Sequence, residues 1–166
     1  DFVVTGNVTY GSNTYRSRVR WSAINDATSW TIGTNQADFQ DIPDAGQITG
    51  LVGGEFGVVL MERAIARMQY VGSPLIFTFE KVETNHGCNY PNSVASLGAS
   101  QVFYLADDGF FMFNGQKSIP IGAEKVDQFF FDDLDFANSD RISCTIDPEN
   151  QVVMWGYPSV NGVGNP

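Results

Sequence analysis

Residues Gln101–Ile121 read QVFYLADDGFFMFNGQKSIPI. Three apolar runs, Val102–Leu105, Phe110–Phe113 and Ile119–Ile121, are separated by Asp107-Asp108-Gly109 and Asn114-Gly115. An Asx-Gly pair between apolar runs is a strong local signal for a β-hairpin, because glycine supplies the positive φ that tight hairpin turns require. The two glycines lie six residues apart. The stretch therefore predicts three short antiparallel strands in a meander, and an all-β chain around them.

The flanking sequence extends this pattern. On the N-terminal side, Ile48–Val52, Val58–Met61, Ala64–Tyr70 and Leu75–Val82 read as strands, with Gly53-Gly54-Glu55 and Glu62-Arg63 as turns. Met61–Met68 contains good helix formers but is too short, and its flanks are β-rich. Further back, Thr14–Trp21 alternates, placing Tyr15, Ser17, Val19 and Trp21 on one face and Arg16, Arg18 and Arg20 on the other. Phe2-Val3-Val4 is strand-like and Asn7–Asn13 reads as turn. Residues 22–34 and 38–50 read as polar connections, with a turn at Pro43-Asp44-Ala45-Gly46. On the C-terminal side, Arg141–Ile146 and Val152–Tyr157 form a strand pair about Asp147-Pro148-Glu149-Asn150. One short helix is expected at 124–131, where Val126, Phe129 and Phe130 would share a side.

Composition limits what such a chain can do. Its 166 residues carry 9 Lys plus Arg against 19 Asp plus Glu, a formal net charge of −10. Hydrophobic residues make up 43% and aromatic residues 13%, which excludes a disordered chain. The acidic balance excludes a surface-wide binder of nucleic-acid phosphates. No apolar run approaches the roughly 20 residues of a membrane-spanning helix, and no signal peptide is visible. Two cysteines, Cys88 and Cys144, are too few for a disulfide scaffold or a zinc site; they could pair, but their 56-residue separation carries no geometry, and they read as small buried thiols.

A repeat runs through the strands. Leu51–Leu60 aligns with Ser96–Leu105 at an offset of 45 residues, and Val152–Trp155 follows about 50 residues after Leu105. A unit of about 40–50 residues with three or four antiparallel strands has the size of a β-propeller blade. The expected units are 1–50, 51–95, 96–141 and an incomplete 142–166, all within one domain. At that period the chain holds about 3.7 blades, whereas a closed propeller needs about four or more. Both ends also read as cut within strands, so the chain is expected to be a segment of a longer polypeptide.

The runs Arg18–Ser22, Gln36–Asp44, Gly50–Gly57, Glu62–Ile65, Tyr70–Gly72, Leu105–Phe111, Pro120–Asp127 and Val153–Pro158, with Trp30 and Asp147-Pro148, form a recognisable series. Over about Arg18–Ser159 the chain resembles the tail nozzle, or packaged-DNA stabilisation (head-completion), proteins of short-tailed bacteriophages. The resemblance implies a non-enzymatic, propeller-bearing virion subunit, assembled in the bacterial host cytoplasm. Such subunits form a ring, usually a hexamer, below the portal and adaptor proteins. The ring extends the DNA exit channel and helps retain the packaged genome. Double-stranded DNA would pass without specific binding, and an acidic wall suits that role. No cofactor, metal or membrane is implied.

Several constellations admit a chemical reading beside a structural one. The arginine face of 16, 18 and 20 could bind an anion or form a solvated or interface surface. Asp132, Asp133 and Asp135 could hold Ca²⁺, but they lack the glycine and distal glutamate of a calcium loop and read as a solvated helix end. Asp107-Asp108-Gly109 reads as a turn. Glu83, His86 and Cys88 could suggest a nucleophilic triad, but neighbours two residues apart rarely meet in the required geometry. Asn7-Val8-Thr9 fits a glycosylation acceptor by chance. Phe129-Phe130-Phe131 is core packing or a subunit contact. No catalytic, cofactor-binding or metal residue is assigned. The alternative function is a carbohydrate-binding or glycoside-hydrolase propeller using Trp21, Trp30 and paired acids. A third is a propeller that binds an unrelated protein partner.

Overall fold

The computed structural model describes residues 1–98 and 101–162. Ala99 and Ser100, which fall inside the aligned repeat, and the last four residues of the expected fourth unit lie outside the described residues. The chain forms two compact units, Asp1–Gly87 and Cys88–Pro166. Among the described residues the structure is mostly antiparallel β.

The first unit holds two sheets. β1 (Val4–Tyr10), β2 (Asn13–Trp21) and β3 (Asp38–Asp41) form one, in that order. β4 (Ile48–Val52), β5 (Gly57–Met61), β6 (Ile65–Gly72) and β7 (Ile76–Glu83) form the other, each strand paired with the next. One apolar layer serves both sheets: Val19 and Trp21 of β2 pack with Val59, Met61, Ala66, Met68 and Ile76. β5 reads as a nearly continuous apolar run because it lies inside its sheet, with Val58–Met61 all buried. Beside this layer Phe2, Tyr70, Phe77, Trp21 and Phe79 form a chain of ring contacts with centroids 5.0–6.1 Å apart. Each such pair adds about 0.5–1.5 kcal/mol beyond its buried area.

The second unit also holds two sheets. β8 (Ala95–Leu97), β9 (Gln101–Leu105), β10 (Phe110–Phe113) and β11 (Ser118–Pro120) form a four-stranded meander. β12 (Ser143–Asp147) pairs with β13 (Val152–Gly156). Leu105 and Phe110 pack with Phe130, Leu134 and Ile142, and Trp155 closes against them. Leu60 in β5 and Leu105 in β9, the matched leucines of the repeat, each lie in the second strand of a four-stranded sheet and are fully buried.

The helix departs from its expected frame. It spans Asp127–Asp133 as α1, not 124–131. Glu124 adopts φ 57°, and the N–H groups of Lys125, Val126 and Asp127 all donate to the Gly122 carbonyl, so the preceding turn cannot be helical. The shift also changes which side chains face inward. Phe130 is buried, but Val126 and Phe129 are exposed. The Asp127 carboxylate accepts the Phe110 N–H, tying the helix start to the β9–β10 turn. A Cβ at Gly109 or Gly122 would collide with that carboxylate, which explains glycine at both positions.

Three further expectations change. Asn7–Tyr10 belongs to β1 rather than to a turn, and the hairpin turns at Gly11-Ser12. Residues 38–41 form β3, although their sequence is polar, because Arg18–Trp21 presents a strand edge to them. Tyr15 leaves the face of Val19 and Trp21: its ring lies on the Arg18 guanidinium. Between the pairs Gly6–Val19 and Val8–Tyr15, Asn7 alone spans residues 16–18, and such a bulge re-aims side chains.

Candidate functional site

A groove of about 610 Å³ in the first unit opens on the arginine face of the β1–β2–β3 sheet. The long β1–β2 hairpin brings Tyr10 to its rim, β2 supplies Tyr15, Arg18 and Arg20, and β3 supplies Phe39. Trp30 comes from the loop after β2. Asp26 shapes that loop by accepting from the Thr28 N–H and hydroxyl, which holds its carboxyl below the ordinary range. The Trp30 indole N–H donates to the Ala27 carbonyl.

The groove has two tiers. In the first, the Arg18 guanidinium stacks on Tyr15 and Phe39, 3.8 and 3.7 Å from their ring centroids. It also donates to Asp41 through Nε and Nη2 at 2.7 and 2.8 Å. This two-pronged bond raises the Arg18 pKa and lowers that of Asp41, and it neutralises the tier. In the second, Arg20 lies 4.9 Å from the Tyr10 ring centroid and 5.6 Å from that of Trp30. Its Nη2 donates to the Trp30 carbonyl. No carboxylate pairs with Arg20 among the described residues. Arg16, on the same strand, is exposed and donates to Gln47.

The sequence marked the arginine face and Trp30. It did not reveal Tyr10 or Phe39, because their strands were read as turn and loop. Trp21 takes no part in a surface site: it is buried, and its indole N–H donates to the Gln36 carbonyl.

Most of the other constellations enter local hydrogen bonds. Asp133 accepts from Tyr157, Ser159 and Asn161, which pins the C-terminal segment and lowers the carboxyl pKa. Asp135 caps the 3-10 turn Phe136–Arg141 by accepting from the Ala137 N–H. Among the described residues no group of three acids, histidines or cysteines could hold a metal. Glu83 accepts the Asn85 N–H, whereas the Cys88 thiol donates to the Tyr90 carbonyl in the second unit. The two cysteines do not form a disulfide with each other, and burial pushes the Cys144 thiol up to about 12. The Asn7 side-chain amide donates to the Ile48 carbonyl. Phe130 is core and Phe131 is half-buried, while Phe129 lines an apolar cleft of about 330 Å³ with Val126, Ile121 and Trp155.

No family model matches the chain, and no curated protein matches it in sequence. Among the described residues no helix is long and apolar enough to cross a membrane.

Proposed function

We propose that the chain is a non-enzymatic structural subunit of a short-tailed phage virion, part of the nozzle or head-completion ring through which DNA leaves. The observation that carries this reading is the spacing of the sheets. Each sheet is built from consecutive strands, and the four begin at Val4, Ile48, Ala95 and Ser143, so successive sheets start 44, 47 and 48 residues apart. That period is the one expected of propeller blades, and two of the four sheets have the four consecutive strands of a blade. In the first unit two successive sheets share one apolar layer, and in the second Trp155 of β13 packs against the cluster built on β9 and β10; such packing supports the blade reading.

Two further features support the reading. The second unit has Lys117, Lys125 and Arg141 against ten acids, a net charge of −7, which repels duplex phosphates. Phe129 is 68% exposed and Val126 50% exposed beside an apolar cleft, a surface suited to a neighbouring subunit. The glycoside-hydrolase alternative gains nothing from the groove. It needs paired carboxylates about 5–10 Å apart, and the groove's lining includes no Asp or Glu.

Light scattering and a duplex-DNA mobility shift on the purified protein test the proposal. A ring of several copies that fails to retard duplex DNA is expected. A monomer at every concentration, or tight salt-dependent DNA binding, would overturn it.

A further inference from the structure

We propose that the groove on the β1–β2–β3 sheet binds an acidic carbohydrate, a uronate-bearing saccharide whose carboxylate pairs with Arg20. This does not depend on the tail reading.

Arg20 is the groove's available cation. Arg18 already has its carboxylate in Asp41, and two rings fix its plane. Arg20 is held in place by the Trp30 carbonyl and by the rings of Tyr10 and Trp30, yet has no carboxylate partner among the described residues. A guanidinium has five N–H donors in a rigid fork. The Trp30 carbonyl takes one on Nη2. Whichever it takes, either the Nε–Nη2 edge or the Nη1–Nη2 edge keeps two parallel donors. That geometry matches a carboxylate.

The rest of the groove selects the body of the ligand. Tyr10 is 66% exposed and Trp30 half-buried, so both present aromatic surface to solvent. Pyranose rings have apolar C–H faces that pack on aromatic rings, while their hydroxyls stay wet. The groove volume of about 610 Å³ lies within the roughly 300–1,000 Å³ of small-ligand sites. The net charge of its two arginines and Asp41 is +1, which matches one carboxylate better than a run of phosphates. A nucleic-acid strand could use the same stacking surfaces, but the −10 chain opposes a polyanion with dense phosphates.

The test is calorimetric titration of the intact chain with short oligogalacturonate and short oligomannuronate, each beside its methyl ester, and with a single-stranded oligonucleotide. Binding of a free acid is expected. Methyl esterification should weaken it by about tenfold or more, the scale of a charge-assisted pair. Arg20→Gln should do the same, whereas the exposed Arg63→Gln should not. The ester comparison uses unaltered protein, so it decides the matter even if Arg20→Gln fails to fold. Failure of both uronates to bind, equal binding of acid and ester, or preference for the oligonucleotide would overturn the proposal.

Discussion

Replacing Phe130 and Phe129 separately by alanine makes the same chemical change at adjacent positions of α1, with opposite expected consequences. Phe130 is 3% exposed, and its ring centroid lies 4.8 Å from Phe110, 4.7 Å from Tyr157 and 5.1 Å from Phe131. Removing a buried phenyl ring costs its transfer free energy plus the cavity it leaves, about 3–5 kcal/mol. The second unit, residues 88–166, is 79 residues long. At about 0.05–0.15 kcal/mol per residue its whole stability is about 4–12 kcal/mol. Phe130→Ala therefore removes from about a quarter to all of that stability. Phe129 is 68% exposed, so Phe129→Ala should change stability by no more than about 0.5 kcal/mol. Hydrogen exchange read by mass spectrometry separates the two units and is the assay of choice. Phe130→Ala should deprotect peptides of β9, β10, β12 and β13 while leaving β4–β7 protected. Equal protection loss in the two variants, or none in Phe130→Ala, would refute the packing described.

Other consequences follow from the same contacts. Gly87→Ala should destabilise the first unit by about 1–3 kcal/mol in urea titration, because its Cβ would overlap the backbone of Met61 and Glu62, which cannot swing aside. Asp26 and Asp147 have carboxyl pKa values lowered by side-chain and backbone hydrogen bonds, and Asp133 by side-chain hydrogen bonds from Ser159, Asn161 and Tyr157. Their stabilising contribution is present above the ordinary carboxylate pKa and is lost as pH falls through the lower folded values. Melting temperature should therefore drop on acidification below about pH 4, and Asp133→Asn should flatten that drop. Cys88 is fully buried and burial raises Cys144, so native protein should react slowly with a thiol reagent at mild alkaline pH. Two equivalents should react per chain after denaturation.

What could be read from the sequence was set by local chemistry. The β9–β10–β11 meander was legible because Asp107-Asp108-Gly109 and Asn114-Gly115 punctuate apolar runs. The structure keeps both turns: Ala106 N–H donates to the Gly109 carbonyl, and Asn114 accepts from Gln116 and Lys117. β5 was legible because Val58–Met61 is apolar throughout. β3 was not, because Asp38-Phe39-Gln40-Asp41 is too short and polar to signal a strand, and its pairing with β2 is a tertiary fact. The helix shifted by three residues at its start because Glu124 takes a left-handed conformation that helical spacing does not encode. The groove was half legible. Alternation placed Arg18 and Arg20 together, but only the bulge of β2 opposite Asn7 and the return of the 26–30 loop bring Tyr10, Tyr15 and Trp30 around them.

The proposed function requires the four sheets to be blades of a subunit that builds a DNA conduit. Electron cryomicroscopy of the assembled protein tests it most directly. The account predicts a closed ring of copies around a channel wide enough for duplex DNA, with the four sheets set radially about a subunit axis and Phe129 at a contact between subunits. A particle in which the sheets share no common axis, or a monomer with Phe129 facing solvent, would contradict it.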